Sequence, residues 1–180
     1  MRLSIRSEQM LVVETVAQEN FVRRIVTHLL KEYPKAIVTL PTDEKFTVDE
    51  LPEERLDDLV RTGIARARGY GLTFESSIAA FTAVMFEVSP NFDQHRLSQV
   101  LLNDEHIAPD ARLDELLNVL TEKNWESIRQ DYDAQAWILE EKTDDGETEE
   151  DSEAQEKDEP QAKPDVPKYD EMLETVKNFP

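Results

Sequence analysis

No cysteine occurs in the 180 residues, and 20 basic side chains face 40 acidic ones. The first absence excludes disulfides and suits a reducing compartment. The shortage of basic groups argues against a general nucleic-acid binder, which needs a cationic footprint on phosphates. It equally disfavours an anionic membrane surface. No stretch approaches the roughly 20 consecutive apolar residues of a spanning helix. The opening residues Met1–Glu8 contain no continuous apolar run, so no signal peptide is expected and the default location is cytoplasmic.

What is present divides sharply near position 140. Residues 1–140 carry 25 acidic and 15 basic side chains; residues 141–180 carry 15 and 5. The excess is the same, but the second part reaches it in far fewer residues. Glu140–Lys168 holds no Phe, Leu, Ile or Met, too little apolar surface to offset the entropy of ordering. The expected organisation is a helical domain over 1–140, a disordered acidic linker over 141–168 and a short amphipathic interaction segment over 169–180. On a helix, Tyr169, Met172, Leu173 and Val176 share one side and Phe179 continues the stripe. These are the anchors of helix-in-groove recognition, for a partner or for the chain's own domain.

Within the domain the expected fold class is all-α, a compact orthogonal bundle or array of about six helices. Met10, Val13, Ala17, Phe21, Ile25 and Leu29 recur at helical spacing up to Pro34, with Ser7 as candidate cap. Ala36–Leu40 is strand-like, but no partner strand is evident, and an extended linker is the preferred reading. A second helix opens after Pro52 with Leu56, Leu59, Val60, Gly63, Ile64, Ala67 and Tyr70 on one face. Gly63 there implies a neighbouring helix at close range, because glycine lowers helix propensity by about 1 kcal/mol. Gly69–Gly71 ends this helix, and Thr73 is the expected cap of the next, which presents Ile78, Phe81, Thr82, Met85 and Phe86. Asp93 is the expected cap of a short helix carrying Leu97, Val100 and Leu101. Pro109 suits the first turn of a helix bearing Leu113, Leu116, Leu117 and Leu120. A last helix is expected from about Trp125 to Leu139.

Few residues suggest chemistry. His28 lies on the line of Met10 and Phe21, so a catalytic base in a pocket is one reading. A core-edge histidine flanked by Arg24 and Glu32 is the favoured one, since no nucleophile is recognisable nearby. Asp93-Gln-His95 and Asp104-Glu-His106 are compact but lack the convergent ligands of a metal centre, and a surface role is preferred. No catalytic residue, metal or cofactor is expected. Gly69-Tyr-Gly71 reads as a turn between helices, not a phosphate loop, and the following helix has no Arg or Lys with which to read DNA. Arg61, Arg66 and Arg68 form a basic island, either a docking patch for an acidic surface or a solvated helix face.

Ile5–Met10, Phe21–Leu30, Tyr33-Pro34 and Ala67–Glu75 resemble a family of small helical proteobacterial proteins. Genes of that family often neighbour spike-tip and effector genes of type VI secretion systems and related toxin loci. The resemblance spans about residues 3–120 and rests on capping, turn and core positions, so it carries over no catalytic residue. It implies an accessory role around a secreted effector: adaptor, chaperone or neutralising partner. The leading expectation is a non-enzymatic protein-interaction protein, with a protein as partner rather than nucleic acid or membrane. The alternatives are an inhibitor or immunity protein that covers a basic toxin or mimics nucleic acid, and, behind it, an enzyme using His28.

Overall fold

A computed structural model describes residues 7–139, with side chains from Thr15 onward. It is a compact, mostly helical, all-α fold with six α-helices among the described residues. The first, α1 (Ser7–Glu32), ends where Tyr33 N–H closes on Leu29 O and Pro34 follows. Its buried arc is Phe21, Val22, Ile25, Val26 and Leu29, whereas positions 15–20 are all exposed. Ala17, expected in the buried stripe, is therefore exposed. Met10, Val13 and the proposed Ser7 cap fall outside the described side chains.

The strand-like run after α1 does have a partner. Strands β1 (Ile37–Thr39) and β2 (Lys45–Thr47) pair antiparallel with Val38 opposite Phe46, which corrects the linker reading. The partner is only three residues long, too short to leave an alternating pattern in the sequence. Asp43 closes the turn in the left-handed region at φ 64°, and Leu40 N–H donates to Glu44 O at 2.8 Å. The outer edge of β1 is occupied by a side chain. The Tyr132 hydroxyl accepts from Thr39 N–H at 3.0 Å and lies 3.1 Å from Thr39 O. At Thr39 this occupies the backbone groups that another strand would use.

The centre of the domain is helix α2 (Glu53–Gly69) against α3 (Glu75–Glu87), the most extensive helix pairing in the fold. Leu56, Leu59, Val60, Ile64 and Ala67 are buried on one side and Ile78, Phe81, Met85 and Phe86 on the other. Gly63 marks the crossing. A Cβ at this position would sit 2.7 Å from Thr82 Cγ2 and 2.9 Å from its Oγ1, so the close approach expected from the sequence is present. Gly71 turns the chain at φ 81° and lies against Pro109.

Helices α4 (Arg96–Leu102) and α5 (Pro109–Val119) form a second pair, which presents Leu101, Leu102, Leu113 and Leu116 to the core. The expected final helix is two elements. Helix α6 (Glu122–Gln130) is followed by a 3-10 turn over Ala134–Trp137, which brings Trp137 onto Phe86 at a ring distance of 4.9 Å. The start of α6 is set by Thr121, whose hydroxyl accepts from Asn124 N–H while Asn124 Oδ1 accepts from Thr121 N–H at 2.9 Å. This is a capping box that places the helix start at Glu122, three residues before Trp125.

Candidate functional site: an apolar groove beside the α2–α3 turn

The basic island separates once its three side chains are followed. Arg66 turns inward. Its guanidinium donates to Asp93 Oδ1, to Pro90 O at 2.7 Å and to Ala136 O at 2.8 Å. The two charged side chains are only 12% and 3% exposed, so Arg66 is an internal cross-link and not a docking residue. Asp93, in turn, does not cap a helix; α4 starts after His95, and Asp93 serves as the buried counter-ion. The Tyr70 hydroxyl donates to Asp93 O at 3.3 Å. Burial, with the Asp93 carboxylate beside it, holds that phenol well above its ordinary pKa, so it remains a donor.

Arg61 is half-buried and pairs with Glu19 of α1 at 2.6 Å. Arg68 alone of the three is exposed with no charged partner among the described residues. The sequence cannot separate these fates, because Arg66 is directed by Pro90, Asp93 and Ala136, 24 to 70 residues away, and Arg61 by Glu19, 42 residues away.

The segment that leads into α3 is also held from elsewhere, and its N-cap position, Phe74, carries no side-chain cap. Asp110, in the first turn of α5, accepts from Thr73 N–H and Phe74 N–H, each at 2.8 Å, and from the Thr73 hydroxyl at 2.7 Å. Thr73 therefore donates to Asp110 and does not cap α3, whose N-cap position is Phe74. Desolvation opposes the Asp110 charge, but the donors from Phe74, Thr73 and Ser77 outweigh it and lower its pKa. This clamp, with the Gly71 turn, fixes the segment 71–75 against α5.

Beside that segment lies a groove of about 570 Å³. Its apolar floor is Phe21 from α1, Leu72 from the turn and Ile78 from α3, all buried. Arg68 and Glu75 stand on the rim, and Glu75 is already held by Arg24 at 2.6 Å. Two exposed apolar side chains adjoin lining residues: Phe74, 65% exposed between Thr73 and Glu75, and Val16, 53% exposed beside Ala17. Sequence reasoning missed this groove because its floor joins three segments, each of which reads as ordinary core.

The histidines do not converge. His28 is exposed, stacks edge-on to Tyr33 at 6.0 Å, and falls about 20° outside the Phe21 boundary of the buried arc at 100° per residue. Its supposed flanking pair is also absent, since Arg24 binds Glu75 and Glu32 binds Lys31. His106 is 92% exposed beside Asp104, and His95 Nε2 lies 3.9 Å from Asp131. Both aspartates of the two compact groups are buried, which corrects their surface reading. Among the described residues no three His, Asp or Glu side chains gather as a metal ion requires. No described helix is long and apolar enough to cross a membrane. Tyr169, Met172, Leu173, Val176 and Phe179, with the acidic linker before them, lie outside the described residues. No family model, curated protein or solved structure matches the chain.

Proposed function

We propose that the chain is a protein-interaction protein that offers the groove beside the α2–α3 turn to a protein partner. The observation that carries this reading is the buried floor of Phe21, Leu72 and Ile78, together with the exposed Phe74 that sits in the chain between the lining residues Thr73 and Glu75. Large apolar side chains held out in solvent beside a ready-made concavity are a feature of partner-binding surfaces. The clamp from Asp110 keeps the Phe74 backbone fixed, so little ordering entropy is lost when that ring is covered. An adaptor or chaperone for a secreted effector is the form of this reading that the sequence resemblance supports. The apolar stripe of residues 169–179 offers a second contact, tethered at high effective concentration.

The test is affinity capture from the native organism with the full chain, with a Phe74→Ser variant and with a chain ending at residue 140. A partner retained by the full chain and lost with Phe74→Ser is expected. Equal recovery with Phe74→Ser would refute the groove as the binding surface, and equal recovery after truncation would remove the terminal segment from the mechanism. The net charge of −20 favours a second reading, an inhibitor that covers a basic toxin. Failure to rescue growth when co-expressed with a neighbouring toxin gene would count against it.

A further inference from the structure

We propose that the groove takes an acidic amphipathic helix from the partner, with its apolar stripe on Phe21, Leu72 and Ile78 and a carboxylate on Arg68. This rests on the interaction reading above and adds the chemistry of the guest.

The walls exclude a small molecule as the natural occupant. Ala17, Gln18, Gly71 and Thr73 on the rim are all exposed, so the groove is shallow. A small ligand is held by burying most of its surface, and this site would leave much of it wet. A helix needs only one face covered. A guest strand is disfavoured for a different reason: the groove is bounded by three helices and a turn, with no strand edge to satisfy a guest backbone. A segment that docks here must carry its own backbone hydrogen bonds, which a helix does.

Charge selects the sign. Glu75 on the rim is neutralised by Arg24, which leaves the Arg68 guanidinium as the uncompensated charge of the lining. The chain as a whole is strongly acidic and repels an acidic guest at long range. At physiological ionic strength that repulsion is screened beyond about 8 Å, so the local Arg68 decides. The one cation of the lining is too little for a nucleic-acid backbone, where several phosphates must be neutralised together.

The probe is a fluorescein-labelled synthetic helix of about 18 residues, long enough to hold its fold. It carries Leu and Phe at i, i+3, i+4 and i+7 and Glu on the flanks; a twin carries Lys instead. Binding to the full chain is read by fluorescence anisotropy. The acidic helix should bind more tightly than its twin, and Arg68→Glu should weaken it about tenfold, since an exposed ion pair is both lost and reversed. The Lys twin should gain affinity for Arg68→Glu. A photo-crosslinker on the apolar stripe should mark Phe21 or Leu72. Binding of neither helix, preference of the wild type for Lys, or indifference to Arg68→Glu would overturn the proposal. A dimer abolished by Arg68→Glu would assign the groove to a second copy instead. A tenfold gain in peptide affinity on ending the chain at Leu139 would assign it to an occupant within the chain. Capture of a cellular partner that neither Arg68→Glu nor the acidic helix disturbs would leave the interaction reading standing and refute this one.

Discussion

Replacing Asp93 by alanine separates the two roles open to Arg66. A docking arginine on a solvated face would lose binding when altered, and its intramolecular neighbour would matter little to stability. The structure instead buries both charges and surrounds the guanidinium with Asp93, Pro90 O and Ala136 O. Removing one member of a buried pair strands the other, at a cost of about 3–5 kcal/mol. With a urea m-value of roughly 2 kcal/mol/M, that shifts the unfolding midpoint down by about 2 M. Such a loss is a large share of a domain's typical stability of about 5–15 kcal/mol. Arg66→Met should cost at least as much, because two carbonyls lose their donor as well. The double variant Arg66→Met/Asp93→Ala leaves no unpaired charge, so it should fall short of the sum by about 2–3 kcal/mol. Arg66→Lys should remain damaging, since an ammonium cannot span three acceptors with a planar fork. Urea denaturation followed by far-UV circular dichroism gives the whole cycle. A loss below about 1 kcal/mol for Asp93→Ala, with additivity within about 0.5 kcal/mol, would refute the buried cross-link.

Gly63→Ala should destabilise despite gaining about 1 kcal/mol of helix propensity, because overpacking costs about 1–3 kcal/mol and the clash with Thr82 includes its Cβ at 3.1 Å. Adding Thr82→Ala should recover most of the loss, and a thermal midpoint of Gly63→Ala above wild type would refute the close crossing. Tyr132→Phe removes a hydroxyl that accepts from Thr39 N–H and from Trp137 Nε1–H, and should cost about 1–3 kcal/mol; a midpoint unchanged in urea would remove that clamp from the account. For Asp110 the folded pKa is the lower one, so its contribution is complete above the unfolded pKa of about 3.9 and disappears as pH falls through the folded value. Asp110→Asn should therefore be less stable than wild type at pH 7, with the gap closing as acid protonates the wild-type carboxyl. A gap that persists unchanged at the lowest pH where both fold would refute the charged clamp on Thr73 and Phe74. Thr121→Ala should cost about 1 kcal/mol through the start of α6, read as a fall in thermal midpoint with no change in cooperativity.

The helical faces were legible wherever the apolar positions alone determined them. The faces of α2 and α3 read from spacing are the ones buried, and Gly63 announced the close crossing because a glycine on a helix face has few other uses. Capping was less legible. Ser, Thr and Asp before a helix invite a local cap, yet Asp110 reaches across from another helix to Thr73 and Phe74. Asp93 is drawn away by Arg66, 27 residues earlier in the chain. Local rules fail at such places because a side chain has a single hydrogen-bonding geometry to give, and a buried counter-ion outbids an exposed helix end. The β1–β2 hairpin escaped for the opposite reason: three residues per strand give period-two patterning too little length to register.

The same distinction governs the candidate site. An exposed arginine and a buried one are identical in sequence, and spacing on α2 separates Arg61, Arg66 and Arg68 by face but not by fate. What separates them is the demand from other segments: Glu19 takes Arg61, Asp93 takes Arg66, and nothing in the described domain takes Arg68. Arg68 is not singular in lacking a carboxylate, since Arg112 bonds only backbone carbonyls; what sets it apart is its place in the groove lining. It stands on the rim of a groove whose other charge is already matched. Pairing Arg68 with a carboxylate from within the domain would have added at most about 1 kcal/mol of stability at such exposure. Leaving it unpaired therefore costs the fold little. To an incoming acidic helix it offers both a charge contact and a register, which is why the groove is better read through Arg68 than through its volume.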